Sequence, residues 1–176
     1  RRSEDWSRRF APVIAPWDIF GSSPAMSSTQ ATSAPDPLLG TTVGSFRLVR
    51  RIGHGGMGSV YLGEQTLIGS KVAVKVLHEH LASDASLVQR FYAEARAVNL
   101  IGHPNIVNIF DMNVVPPRRY YLIMEYLEGE PLSAAPPGPM APEQALPVLI
   151  QVCQALQAAH ARGVVVAVDN TFASPY

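Results

Sequence analysis

Three glycines, a lysine and a glutamate are the residues whose types and spacing could do chemistry in this chain. Gly53, Gly55 and Gly58 stand in a G-x-G-x-x-G frame within IGHGGMGSVYLG. Such a frame has more than one physical use. In a dinucleotide fold the third glycine opens a helix, and an acidic residue follows about 20 positions later. Here Ser59-Val60-Tyr61 continues as strand and position 78 is histidine, so that use fails. A glycine-rich hairpin remains. It is either a plain turn or a loop whose backbone, free of Cβ atoms, approaches a polyphosphate and turns its amides to the oxygens.

The lysine lies in KVAVKVL. Val72, Val74 and Val76 share one face of a strand; Ala73, Lys75 and Leu77 share the other. Lys75 thus sits between apolar neighbours. The chain has only two lysines among fourteen basic residues. Lysine offers a compact charge on a flexible stem, suited to reaching a phosphate; the alternative is a side chain that snorkels to water. Glu94 falls, at about 100° per residue, within the helical arc of Leu87, Phe91, Ala95 and Val98. A carboxylate on a core-facing arc either meets a cation or stays wet at the edge of the stripe. Lys75 is the simplest partner.

Elements that could position these groups follow from periodicity. SFRLVRRI, SVYLGE and KVAVKVL read as three strands, and residues 84–100 as a helix. IVNIFDMNVV and RRYYLIMEYL read as two more strands, separated by Pro116-Pro117. Eight of the fifteen prolines fall between Pro116 and Pro147, which marks turns and linker. A last helix starts at Ala141-Pro142-Glu143, with Leu146, Leu149, Ile150, Cys153 and Leu156 as its apolar stripe. Pro147, about one turn inside, is expected to kink this helix or delay its start. The expected fold is α+β: a five-stranded antiparallel sheet with one packed helix, then a long helix that begins something further.

Composition narrows the function classes. Fourteen basic and fourteen acidic side chains give a net charge of zero, which gives no support for nucleic acid or an anionic membrane as partner. A single cysteine, Cys153, excludes an intrachain disulfide framework and fits a reducing compartment, so a cytoplasmic location is expected. No run approaches the ~18 apolar residues of a membrane span. Phe10 to Phe20 is apolar, but Pro12, Pro16 and Asp18 spoil it as a signal-peptide core. Residues 1–43 read as a disordered tail rich in Ser, Pro, Thr and Ala, with Met26 a plausible start.

These motifs together resemble the amino-terminal lobe of a protein kinase: Gly53-x-Gly55-x-x-Gly58-x-Val60, then Val72-Ala73-Val74-Lys75, then Glu94 in RFYAEA. GHGGMGSVY, HPNIV at 103–107 and YLIMEYLEGEPL at 121–132 are most similar to the bacterial serine/threonine kinases. The resemblance spans about residues 46–165 and implies an organisation. Residues 44–130 would be the amino-terminal lobe with its hinge, and 131–165 a linker and the first helix of an incomplete carboxy-terminal lobe. Residues 166–176 would be an unrelated tail.

The resemblance also implies a site for ATP. The loop with Ile52, Gly53, Gly55, Gly56, Gly58 and Val60 would cover the phosphates. Lys75 would hold the α- and β-phosphates and pair with Glu94. Ala73 would belong to the same site, and Met124 would back the adenine pocket. Glu125, Tyr126 and Leu127 would form the hinge whose backbone binds adenine. The intact family would use Mg2+ and a protein substrate.

In the family, a helix ending like HARGVV leads to His-Arg-Asp and, five residues past that Asp, an Asn. Here Val166-Ala167-Val168-Asp169-Asn170 follows, and no Asp-Phe-Gly. The expectation is a junction between Val165 and Asp169, no catalytic residues, no metal ligands and no phosphotransfer by the chain as given. A pseudokinase-like binding or interaction module is the alternative. VAVDNTFASPY itself resembles a segment of the pyridoxal-phosphate enzymes of cysteine and methionine metabolism, where its Asp meets the cofactor ring. No Schiff-base lysine segment accompanies it, so no cofactor site is assigned to Asp169.

Overall fold

The computed structural model describes residues 36–129 and 138–164. Its strands are β1 (Thr42–Val43), β2 (Phe46–His54), β3 (Gly58–Gln65), β4 (Lys71–Leu77), β5 (Ile109–Val115) and β6 (Arg119–Glu125). They form one antiparallel sheet in the order β1-β2-β3-β4-β6-β5. Two helices join it, α1 (Ala85–Ile101) and α2 (Pro142–Ala161).

The two-residue period of β4 divides the core. Val72, Val74 and Val76 pack with Val43, Leu48, Tyr61, Tyr121 and Ile123 on the outer face. Ala73 and Leu77 pack with Val60, Leu122 and Met124 on the inner face, which α1 covers through Phe91 and Ala95. Phe91 and Ala95 are four residues apart and both fully buried, as one face of a helix requires. Asp84 caps α1: its Oδ1 accepts from Ser86 N at 2.8 Å and Leu87 N at 3.4 Å. Gly102, at φ 57°, ends the helix in a left-handed turn that glycine adopts without Cβ strain.

Several expectations are corrected. The sheet has six strands, not five. Residues 36–43, assigned on composition to the tail, form a turn and β1. Gly44, at φ 58°, reverses the chain so that Val43 pairs with Phe46. Asp36 anchors this segment by accepting from Tyr61 Oη at 3.0 Å, with Arg51 Nη1 3.5 Å away. The last two strands are shorter than read: Ile106 and Val107 are buried ahead of β5, and Tyr126 and Leu127 lie past β6.

Helix α2 differs most. Pro142 occupies its first turn and Pro147 lies inside it, yet the helix is continuous from 142 to 161 and its start is not delayed. Its docking face is small. Ala155 and Ala159 are buried against Ile101 and Ile106, while Leu146, Leu149 and Ile150 are each more than half exposed and Cys153 is exposed. The apolar stripe of Leu146, Leu149 and Ile150 is therefore left uncovered by the described residues. Small side chains let α2 come close to the end of α1, where Arg162 Nη1 donates to Leu100 O at 2.7 Å. Asn105 Nδ2 donates to Gln151 Oε1 at 2.8 Å. The expected disorder of residues 1–35, the linker at 130–137 and the change of character after 164 lie outside the described residues.

Candidate functional site

Strands β2 and β3 pair down to His54 and Ser59, leaving Gly55, Gly56 and Met57 as a loop that continues into Gly58. Gly55 N donates to Gly58 O at 2.9 Å and closes the turn. The glycines have separate reasons to be glycine. A Cβ on Gly58 would lie 2.2 Å from Val76 O, so β3 could not approach β4 there. A Cβ on Gly56 would meet nothing within 4 Å, and on Gly55 only Gly58 O at 4.0 Å. Neither has positive φ. Among the described residues nothing calls for glycine at 55 or 56, which leaves open surface above the loop.

Below the loop lies Lys75. The register sets it directly across from Val60 on β3 and Leu122 on β6. Ala73 and Leu77 flank it on the same face, and its Nζ lies 5.7 Å from the centre of the Phe91 ring, within cation–π range. Lys75 is only 4% exposed. Burial pushes its pKa down, and the Glu94 carboxylate opposes that push. Glu94 is half-buried on α1; burial pushes its pKa up and Lys75 opposes it. The two groups act on each other through space, and in both desolvation outweighs attraction.

Met124 is buried at the base of the same face, across from Ala73 on β4 and Ile109 on β5. Glu125 N donates to Asn108 O at 2.9 Å, and Glu125 Oε2 accepts from Asn108 Nδ2 at 2.9 Å. This pins the point where the chain leaves β6. Beyond it, Lys71 Nζ donates to Glu128 Oε1 at 3.1 Å in an exposed ion pair. The structure therefore brings Val60, Ala73, Lys75 and Met124 onto one face, sets Glu94 on the helix above it and Glu125 at its edge. Ile52 is exposed near the end of β2 and belongs to neither core cluster. Gly53 packs on Val60.

A glycine hairpin over a buried lysine, a carboxylate on the helix above it, and a strand end pinned beside it form a recognisable constellation. The sequence matches the protein kinase domain family over residues 46–167, more than two thirds of the chain. The chain belongs to the protein kinase domain family. It is 67% identical over 132 residues to the serine/threonine-protein kinase Pkn1 of Myxococcus xanthus, covering 75% of this chain and 19% of that protein. It is 37% identical over 124 residues to the serine/threonine-protein kinase PrkC of Bacillus subtilis, covering 69% of this chain and 19% of that protein. The chain thus spans about a fifth of the length of these relatives. Among solved structures it is similar to the kinase domain of Mycobacterium tuberculosis PknI, with TM-score 0.58 and 27% identity over 70% of this chain and 51% of that one.

Two features of this kinase lobe were not foreseen. His78, the first residue after β4, donates from its backbone N to Met57 O at 3.0 Å, and its Nε2 lies 2.9 Å from Gly55 O. Sequence alone carries no signal for this, because it depends on where β4 ends relative to the loop. The second is a groove of ≈ 690 Å³ lined by Asp36, Arg51, Tyr61, His78, Arg118 and Arg119, among others. None of the sequence-predicted site residues lines it. Among the described residues there is no group of three or more His, Cys, Asp or Glu placed to hold a metal ion.

Proposed function

We propose that this chain is the nucleotide-binding lobe of a serine/threonine protein kinase. It would bind ATP beneath the glycine loop, with Lys75 on the phosphates and residues 125–127 at the adenine. The observation that carries this reading is the bare surface at Gly55 and Gly56 above a buried lysine. Two glycines without an internal reason, beside a cation that burial alone disfavours, are best accounted for by a polyanionic ligand that approaches the backbone. Ile52, Gly53, Gly58, Val60, Ala73 and Met124 would enclose the base and phosphates. Glu94 would hold Lys75 in place as α1 closes on the sheet. The complete enzyme would transfer the γ-phosphoryl group of ATP to a protein hydroxyl.

Among the described residues no group of three or more His, Cys, Asp or Glu is placed to hold a magnesium ion. After His160 the sequence reads ARGVVVAVDN, in which Asp169 and Asn170 adjoin, so the aspartate and asparagine of a catalytic loop are not at their spacing. Phosphoryl transfer depends on positioning and charge neutralisation, for which the sequence after His160 lacks the family's spacing. The 176-residue chain would therefore bind nucleotide without transferring phosphate. Radiolabelled ATP with a generic protein acceptor, and with the chain itself, tests this. Incorporation no greater than that of a Lys75→Met control is expected; incorporation above it would refute inactivity.

A further inference from the structure

We infer that His78 is a positioning residue that clamps the glycine loop from below and so sets how firmly the loop grips phosphates. The inference rests on the nucleotide reading of that loop. His78 holds the loop at two points. Its backbone N–H donates to Met57 O at 3.0 Å, and its ring reaches Gly55 O at 2.9 Å. A carbonyl can only accept, so His78 Nε2 is the donor and carries the proton. Met57 and Gly55 flank Gly56, where an added Cβ would meet nothing within 4 Å. Both hydrogen bonds therefore bracket the position where a ligand comes nearest the backbone.

The anchor is joined directly to the sheet. His78 directly follows β4, the central strand that also carries Lys75, so loop and lysine are referred to one frame. Its ring contacts those of His54, with centroids 5.0 Å apart, and His80, at 5.6 Å. His54 in turn pairs with Ser59 through Nδ1 and Oγ at 3.0 Å, closing the base of the loop. A loop already held in one conformation loses less freedom when a phosphate binds, so its grip is tighter than that of a free loop.

The test uses the 176-residue chain and the variants His78→Ala and His78→Gln. The second keeps an amide donor of similar reach, and both keep the backbone N–H. Hydrogen exchange of the 53–58 amides without nucleotide should be about fivefold faster in His78→Ala, the loss of one ordinary hydrogen bond, and nearer wild type in His78→Gln. ATP affinity should fall about fivefold in His78→Ala, while adenosine, which has no phosphates, binds unchanged. Unchanged exchange in His78→Ala overturns the clamp. Faster exchange with an unchanged ratio of ATP to adenosine affinity overturns its role in phosphate grip. Were wild type itself not to bind ATP, the nucleotide reading would fall, and the exchange rates alone would decide the clamp.

Discussion

Lys75 and Glu94 are each pushed toward neutrality by burial, and the pushes act in opposite directions on the pH axis. For Glu94 the folded pKa lies above the free value. Between the two the native state holds more protons, so stability falls as pH rises through that window and is flat above it. For Lys75 the folded pKa lies below the free value. Between the two the unfolded chain holds more protons, so stability rises with pH there, and the burial cost is present in full below it. Glu94→Gln should abolish the acid-side fall, read from melting midpoints across pH; a fall that persists in the variant would show another group to be responsible. Replacing both charges, Lys75→Met with Glu94→Gln, should leave stability unchanged or raise it by about 1–2 kcal/mol, because for both groups desolvation outweighs their mutual attraction. A large loss in the double variant would mean that this pair stabilises the fold. Lys75 and Glu94 were legible in the sequence because a period of 2 or 3.6 shows which face a charge is on. The balance of desolvation and attraction was not, since it depends on how closely α1 lies on the sheet.

Among the elements, the β2–β3 hairpin sets a packed glycine and an open one within three residues, Gly56 to Gly58. Gly58→Ala forces a Cβ to 2.2 Å from Val76 O, a backbone atom of a paired strand that cannot swing aside. It should destabilise by about 2 kcal/mol, measured by denaturant unfolding. Gly56→Ala meets nothing within 4 Å and needs no left-handed φ. Its melting midpoint should be unchanged or slightly raised, because alanine restricts the unfolded chain. Loss of nucleotide affinity in that variant would mark the surface as a ligand site; full affinity would reduce Gly56 to an ordinary turn residue. The same G-x-G-x-x-G pattern thus hides two unlike roles. The sequence could exclude a dinucleotide fold but could not say which glycine served the sheet. Strand β1 was illegible for a related reason: two residues show no period, and β1 exists because Gly44 turns Thr42 and Val43 back onto β2.

At the scale of the whole molecule, α2 carries its apolar stripe uncovered by the described residues. Leu146, Leu149 and Ile150 make an apolar stripe at helical spacing, and a stripe of that size is ordinarily a buried face. The helix instead docks through Ala155 and Ala159, where small size permits close approach, and the larger side chains stay more than half exposed. Periodicity reports that a face is apolar; it does not report what covers it. Neighbouring exposed residues of this kind promote association. The chain should self-associate at tens of micromolar in sedimentation velocity, and Leu149→Glu with Ile150→Glu should shift it toward monomer with stability altered by no more than about 0.5 kcal/mol. A wild-type chain that sediments as a monomer throughout would contradict this.

The sheet, its two faces and α1 were legible because each follows from side-chain alternation or a helical stripe in a long enough run. They are also what carries the central claim, that this lobe holds ATP between its glycine loop and Lys75. Calorimetric titration of ATP into the 176-residue chain and into Lys75→Met tests that claim most directly. The account predicts saturable binding to wild type, weakened about tenfold or more when the charge-assisted contact to phosphate is lost. Equal affinity in the two proteins, or no binding to either, would contradict it.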